Sequence, residues 1–185
     1  MKVARIGERG SEVPAVLDRD GVHRDVSSVV SDFTPEFFAG DGIERLRSSD
    51  LSALPSVEGR IGAPIAKPSL ILCVGLNYVD HANESSMKVP EEPILFTKAP
   101  NCLVGPYDDV LTPRGATTVD YEVELVVVIG RQCRYLESPE QAMDHLAGFT
   151  IANDVSERTF QLERGGGQWI KGKSCKTFNP CGPYL

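Results

Sequence analysis

No run of apolar residues in this 185-residue chain approaches the roughly 18–20 that a helix needs to cross a bilayer. A secretory leader is lacking as well: Met1-Lys2-Val3-Ala4-Arg5 runs into Glu8-Arg9 with no apolar core between them. The expectation is a protein that is neither membrane-spanning nor exported by that route. Basic residues are few and scattered. There are 19 Lys and Arg against 26 Asp and Glu, for a formal net charge of −7 and a pI near 5.0, so the clustered cations that a nucleic-acid surface requires are missing. No nucleic-acid partner is expected. The five cysteines, Cys73, Cys102, Cys133, Cys175 and Cys181, are odd in number and have no close paired spacing. Neither a disulfide framework nor a zinc ribbon follows from them, and a reducing cytoplasm fits best.

What is present reads as α+β and predominantly β. Lys2–Ile6 and Val13–Leu17 are short strand candidates, and Asp20-Gly21 before Val22 is a hairpin signal because both residues tolerate positive φ. Thr34-Pro35-Glu36 opens a helix carrying Phe37 and Phe38, and a second helix covers Ile43 to Arg47 with Asp41 as its cap. Ala63-Pro-Ile-Ala-Lys-Pro68 holds two prolines and no periodicity, which makes it an extended connector. The expected division is a small β-rich domain over 1–62, a connector over 63–68 and a second domain over 69–185. In the second part, Ser69 to Gly75 reads as a buried strand and Ile94 to Lys98 as another, with Lys98 a strand-end charge. Ser138-Pro139-Glu140 starts a helix with Ala142, Met143 and Leu146 on one side, Gly148 stops it, and Phe149 to Asp154 alternates like a strand.

The most informative stretch is Asp120-Tyr121-Glu122-Val123-Glu124-Leu125, followed by Val126-Val127-Val128-Ile129. On a strand Glu122 and Glu124 share one face, with Val123, Leu125, Val127 and Ile129 on the other. Two carboxylates about 7 Å apart in a partly buried site ask for a cation between them, and oxygen donors suit Mg²⁺, Mn²⁺ or Ca²⁺. Asp154, at the end of its own strand, is the natural third ligand. A solvent-facing polar edge accounts for the two glutamates equally well. His81 and Glu84 lie i to i+3 if their segment is a helical turn, an arrangement that makes imidazole a general base towards water; a surface histidine with a solvated neighbour is the plainer alternative. Gly167-Gln-Trp-Ile-Lys-Gly-Lys-Ser174 matches the phosphate-loop pattern letter for letter. Its context does not match, since Pro180 and Gly182-Pro183 leave no room for the helix that would hold a phosphate. The better functional reading is a glycine-rich loop that offers Lys173 to a substrate oxyanion; a plain surface loop is the other.

Taken together, residues 69–185 resemble the fumarylacetoacetate hydrolase family. Four segments carry the resemblance in order: N-Y-x-x-H-x-x-E at 77–84, D-Y-E-x-E-L at 120–125, N-D-V-S-E-R-x-x-Q at 153–161 and K-G-K-S at 171–174. It implies a catalytic domain that is a rolled β-sandwich, and a Mg²⁺ or Mn²⁺ held by Glu122, Glu124 and Asp154. It further implies a water-activating pair in His81 and Glu84, charge stabilisation by Lys173, and substrate contacts from Arg158 and Gln161. The chain departs from the family pattern at Lys176, where an aspartate is usual, and at Asn179. Residues 1–68 resemble, more weakly, the leader domain of the bacterial diketo-acid and ureidoglycolate-type members. Such catalytic domains continue well past Gly-Pro-Tyr-Leu, so the resemblance implies that only the first part of that domain is present. The implied activity is hydrolysis of a carbon–carbon bond in a small anionic acylpyruvate by a homodimer. Isomerisation, decarboxylation and ureidoglycolate lyase chemistry are the alternatives within the family. A nucleotide binder and an inactive binding module are the readings outside it.

Overall fold

The computed structural model describes residues 1–80 and 89–185. His81 and Glu84 therefore lie outside the described residues. The first sheet is four-stranded and antiparallel in the order β3-β2-β1-β4, built from β1 (Lys2–Ile6), β2 (Val13–Leu17), β3 (His23–Asp25) and β4 (Ile61–Gly62). Both faces of its inner strands are covered. Val3 and Val16 pack with Phe33, Phe37, Phe38 and Leu46, supplied in part by α1 (Pro35–Ala39) and α2 (Gly42–Ser48), while Ala4, Ile6 and Ala15 pack with Val57, Ile61 and Tyr184. Thr34 caps α1 as its sequence leads one to expect, its side chain accepting from the Phe37 amide.

Contacts between residues 1–62 and the later part of the chain are specific. Val3 and Leu185 exchange two backbone hydrogen bonds, of 2.9 and 3.0 Å. Arg60 forks onto Asp108, with Nε donating to Oδ1 at 2.6 Å and Nη2 donating to Oδ2. The Arg60 guanidinium, helped by the Gly105 amide, holds the Asp108 carboxyl below its ordinary 3.8. A carboxyl lowered in the folded state contributes stability above its unfolded value, and that contribution is lost as pH falls through the folded one. Asp108→Asn should therefore cost on the order of 1–2 kcal/mol at neutral pH. Its acid-unfolding curve should meet that of the wild type below pH 3.8, as circular dichroism at stepped pH would show.

The remaining strands form two-stranded ladders, and among the described residues no helix is long and apolar enough to cross a membrane. β5 (Ile71–Gly75) pairs antiparallel with β6 (Ile94–Lys98), and β7 (Leu103–Val104) runs parallel to β12 (Asn179–Pro180). Two further antiparallel ladders, in continuous register, position the carboxylates. β8 (Val119–Asp120) and β9 (Val123–Ile129) face β11 (Ser156–Glu157) and β10 (Leu146–Asn153), with Asp120 opposite Ser156, Val123 opposite Asn153 and Glu124 opposite Ala152. Position 122 thus meets position 154, and the Asp154 amide donates to the Glu122 carbonyl at 2.8 Å.

Three local expectations need correction. The run from Ser69 to Gly75 is not a buried strand: Leu72 is 55% exposed and Val74 43%, because β5 has one partner and its outer face meets nothing among the described residues. On β9, Val123, Leu125, Val127 and Ile129 do take the face opposite Glu124, as their alternation predicts, and all four are exposed, so the inward face is the one carrying Glu124 and Val128. The segment Pro139–His145 is a 3-10 run with no side-chain cap from Ser138 and with Met143 exposed. Gly148 does not stop it; β10 begins at Leu146 and passes through Gly148 at a register shift.

Candidate active site

Cross-strand neighbours in an antiparallel ladder project to the same face with Cβ atoms about 4.5–5.5 Å apart, and residues two apart on one strand do the same at about 7 Å. Glu122, opposite Asp154 and two residues before Glu124, therefore brings three carboxylates to one side of the two ladders, where β8 runs on into β9 and β10 into β11. Ala152 opposite Glu124 leaves room beside them.

Three cations enter from other elements. Lys173 lies at the end of α3 (Ile170–Lys173), and its Nζ donates to Glu122 Oε2 at 2.5 Å and to Asp154 Oδ2 at 2.9 Å. Lys98, at the end of β6, has a side chain with 0% exposure and donates to Asp154 Oδ1 at 2.5 Å and to the Val155 carbonyl at 3.1 Å. Arg158 Nη2 reaches Glu122 Oε1 and Asp120 Oδ2, both at 2.7 Å, and its Nη1 donates to Gln161 Oε1 at 3.1 Å. Gln161 is itself buried in the wide turn Thr159–Glu163 and steadies the guanidinium.

Among the described residues, four carboxylates, Asp120, Glu122, Glu124 and Asp154, thus meet three cations. The unbalanced charge falls on Glu124. Burial first, then the neighbouring Glu122 and Asp154, push its carboxyl above the ordinary range, against a smaller opposing pull from Lys173. Cys73, on the inner face of β5 opposite Phe96, also lies near these charges. Burial and Asp154 push its thiol up to about 12, so it is a neutral apolar wall.

The donor set fits a hard divalent cation: three oxygen-only side chains on one face, with a residual negative charge that such an ion would remove. Among the described residues, no three acidic, His or Cys groups are gathered tightly enough to grip an ion as they stand. The cation that gathers Glu122 and Asp154 is the Lys173 ammonium.

Of the residues singled out from sequence, Glu122, Glu124, Asp154, Lys173, Arg158 and Gln161 come together. Lys98 and Asp120 also belong to the cluster, and sequence reasoning passed over both. Lys98 is not a strand-end surface charge. Its signal was the alternation Ile94, Phe96, Lys98, which puts it on the inward face of β6. The lysine-bearing segment is a short helix rather than a loop, and Ser174 is followed by turns and then β12 with no phosphate-holding helix. Lys176 is exposed and does not displace Lys173.

Gly172 explains how α3 comes close enough. A Cβ there would stand 2.5 Å from the Glu157 carbonyl oxygen and 2.6 Å from Gln161 Cβ, so only glycine lets the helix rest on that turn. The turn is firm because the buried Glu157 carboxylate accepts from the Thr117, Thr118 and Phe160 amides and from the Thr118 hydroxyl. Gly172→Ala should cost about 1–3 kcal/mol and pull Lys173 off the carboxylates. A wild-type melting temperature for that variant would contradict the packing.

Comparison with known proteins identifies the family. Residues 70–185 match the family model described as fumarylacetoacetate (FAA) hydrolase C-terminal. The chain belongs to the fumarylacetoacetate hydrolase family. A curated relative from Burkholderia multivorans, whose name goes no further than hydrolase, is 46% identical over 187 residues; the match takes in 100% of this chain and 66% of the relative. A fumarylacetoacetate hydrolase from Exiguobacterium antarcticum superposes with a TM-score of 0.77 at 33% identity over 100% of this chain and 65% of its own. A 5-carboxymethyl-2-hydroxymuconate delta-isomerase from Mycobacterium smegmatis does so with a TM-score of 0.75 at 30% identity, over 100% of this chain and 66% of its own. The chain thus spans just under two thirds of the length of these proteins. Over that span it shares their mixed, mainly β fold.

Proposed function

We propose that this chain carries the site of a metal-dependent hydrolase that cleaves a carbon–carbon bond in a small acylpyruvate or other 2,4-diketo acid. The observation that carries the reading is the convergence of Glu122, Glu124 and Asp154 on one face with Lys173 and Arg158 beside them. Those three carboxylates would hold Mg²⁺ or Mn²⁺, which when bound supplies Lewis acidity and a template for the substrate's carboxylate and adjacent keto oxygen. A dication would also turn the cluster's net charge from negative to positive, which suits an anionic substrate.

The protein's own groups account for the rest. Arg158, fixed by Asp120 and Gln161, is placed to orient the substrate carboxylate. His81, with Glu84 three residues later in the sequence, is proposed to take a proton from water as that water attacks the distal carbonyl. The bond between that carbonyl carbon and the neighbouring methylene then breaks, and its electron pair passes to the pyruvate fragment as an enolate. Lys173 offsets the developing negative charge, and the proton held on His81 returns to the methylene carbon. The products are a carboxylic acid and pyruvate. We further propose a cytoplasmic homodimer as the working form.

Acetylpyruvate with Mn²⁺ tests this reading: equal amounts of acetate and pyruvate are expected, abolished by chelation and by His81→Ala. The superposition on a delta-isomerase keeps a second reading. Ketonisation of a hydroxymuconate-type dienoate, with acetylpyruvate untouched, would establish that one instead.

A further inference from the structure

The inner face of β6 carries more than Lys98. Ile94, Phe96 and Lys98 follow one another at two-residue spacing, which sets Phe96 about 7 Å and Ile94 about 13 Å along the strand from Lys98. The face is therefore polar at the acid cluster and apolar away from it. Phe96 joins the two ends: the Lys173 ammonium lies 5.2 Å from its ring centroid, and its ring meets the Trp169 indole edge to face at 5.4 Å and 62°. Beside Phe96 lies an open, mainly apolar groove of about 450 Å³, lined along β6 by residues 94–97 and on the other side by residues 167–170, with Thr97 and Gln168 its polar side chains. That size lies within the range of small-ligand sites.

The Trp169 wall is seated by sequence. Gly75 faces Ile94 across the β5–β6 pair, and a Cβ on Gly75 would stand 2.6 Å from Trp169 Cζ3, so the rim of the indole rests on bare backbone. The groove is nonetheless open, with Ile170 40% exposed. Nothing in the chemistry derived above uses it.

We propose that this groove is the subsite for an apolar acyl group, so that the preferred substrates are acylpyruvates with a medium-length alkyl chain rather than acetylpyruvate. The inference rests on the acylpyruvate reading of the neighbouring cluster. A diketo acid whose carboxylate end lies at that cluster extends its acyl carbons past Lys173 and Phe96 into the groove. Each methylene buried there should tighten binding about fourfold. A short acid such as acetylpyruvate leaves the groove to water.

The test is calorimetry on the Mn²⁺-loaded chain with three probes: oxalate, acetylpyruvate and hexanoylpyruvate. Trp169 is the only tryptophan, so its emission maximum reports the groove independently of turnover. Hexanoylpyruvate should bind at least tenfold tighter than acetylpyruvate and shift the emission to the blue, while oxalate leaves the emission unmoved. Ile170→Gln, a change on the partly exposed wall, should bring the two acylpyruvates within about threefold and leave oxalate binding as in the wild type. Ile94→Ser provides a second variant with the same expected pattern. If oxalate binds but chain length brings no gain and the emission stays put, the subsite is overturned and the cluster reading stands. If oxalate itself does not bind, the cluster reading falls and takes the subsite with it.

Discussion

Asp154→Asn is expected to weaken Mn²⁺ binding by at least about 100-fold, since loss of groups that merely support a ligand already costs 10–100-fold. Asp154 stands opposite Glu122 in the ladder, so it supplies an oxygen that neither glutamate of its partner strand can replace. The substitution has a second consequence. Lys98 and Lys173 both donate to this carboxylate from positions 0% and 2% exposed, and a neutral amide leaves Lys98 without its counter-charge. The metal-free variant should lose about 3 kcal/mol or more of stability. Glu124→Gln separates the two effects. It removes a proposed ligand whose carboxyl is already unfavourably placed, so metal binding should fall without loss of stability in the metal-free state. Measuring free Mn²⁺ by its paramagnetic resonance signal, well below the melting temperature, would check both variants. Undiminished affinity in either would remove that residue from the ligand set.

Lys98→Met is expected to cost the metal-free protein about 3 kcal/mol. The methionine fills most of the space, so the loss is one of charge rather than packing. Asp154 keeps its bond to Lys173, but that ammonium is already shared with Glu122. Metal should then rescue the variant. Removing a buried positive charge beside the site favours a dication through Coulomb attraction, and Asp154 is still positioned by its strand. The rise in melting temperature on adding saturating Mn²⁺ should therefore be larger for Lys98→Met than for the wild type. Equal rises in thermal unfolding would show that Lys98 is a packing residue with no bearing on the cluster.

Much of this site could be read before any coordinates. The Glu-x-Glu pair and an aspartate ending its own strand are local patterns, and strand periodicity alone sends the two glutamates to one face. What joined them to Asp154 was register, and register depends on a pairing that begins about 30 residues away; sequence could suggest that pairing without setting it. Lys98 was passed over because a lysine at a strand end is usually solvated, although its alternation with Phe96 and Ile94 pointed inward. Asp120 went unnoticed beside its neighbours, yet it holds Arg158. The apolar strands misled for another reason. A run such as Ile71–Val74 shows that side chains could be buried, not that anything covers them, and the outer faces of β5 and β9 are exposed. The parallel pairing of β7 with β12 joins segments more than 70 residues apart, with no local signal.

The central claim, that Glu122, Glu124 and Asp154 form a hard-metal site for a chelating acid, is tested most directly by titrating the wild-type chain with Mn²⁺ in a calorimeter, with and without oxalate. One ion per chain is expected, with affinity raised at least tenfold by oxalate. No binding, or binding that oxalate leaves unchanged and Asp154→Asn retains, would contradict it.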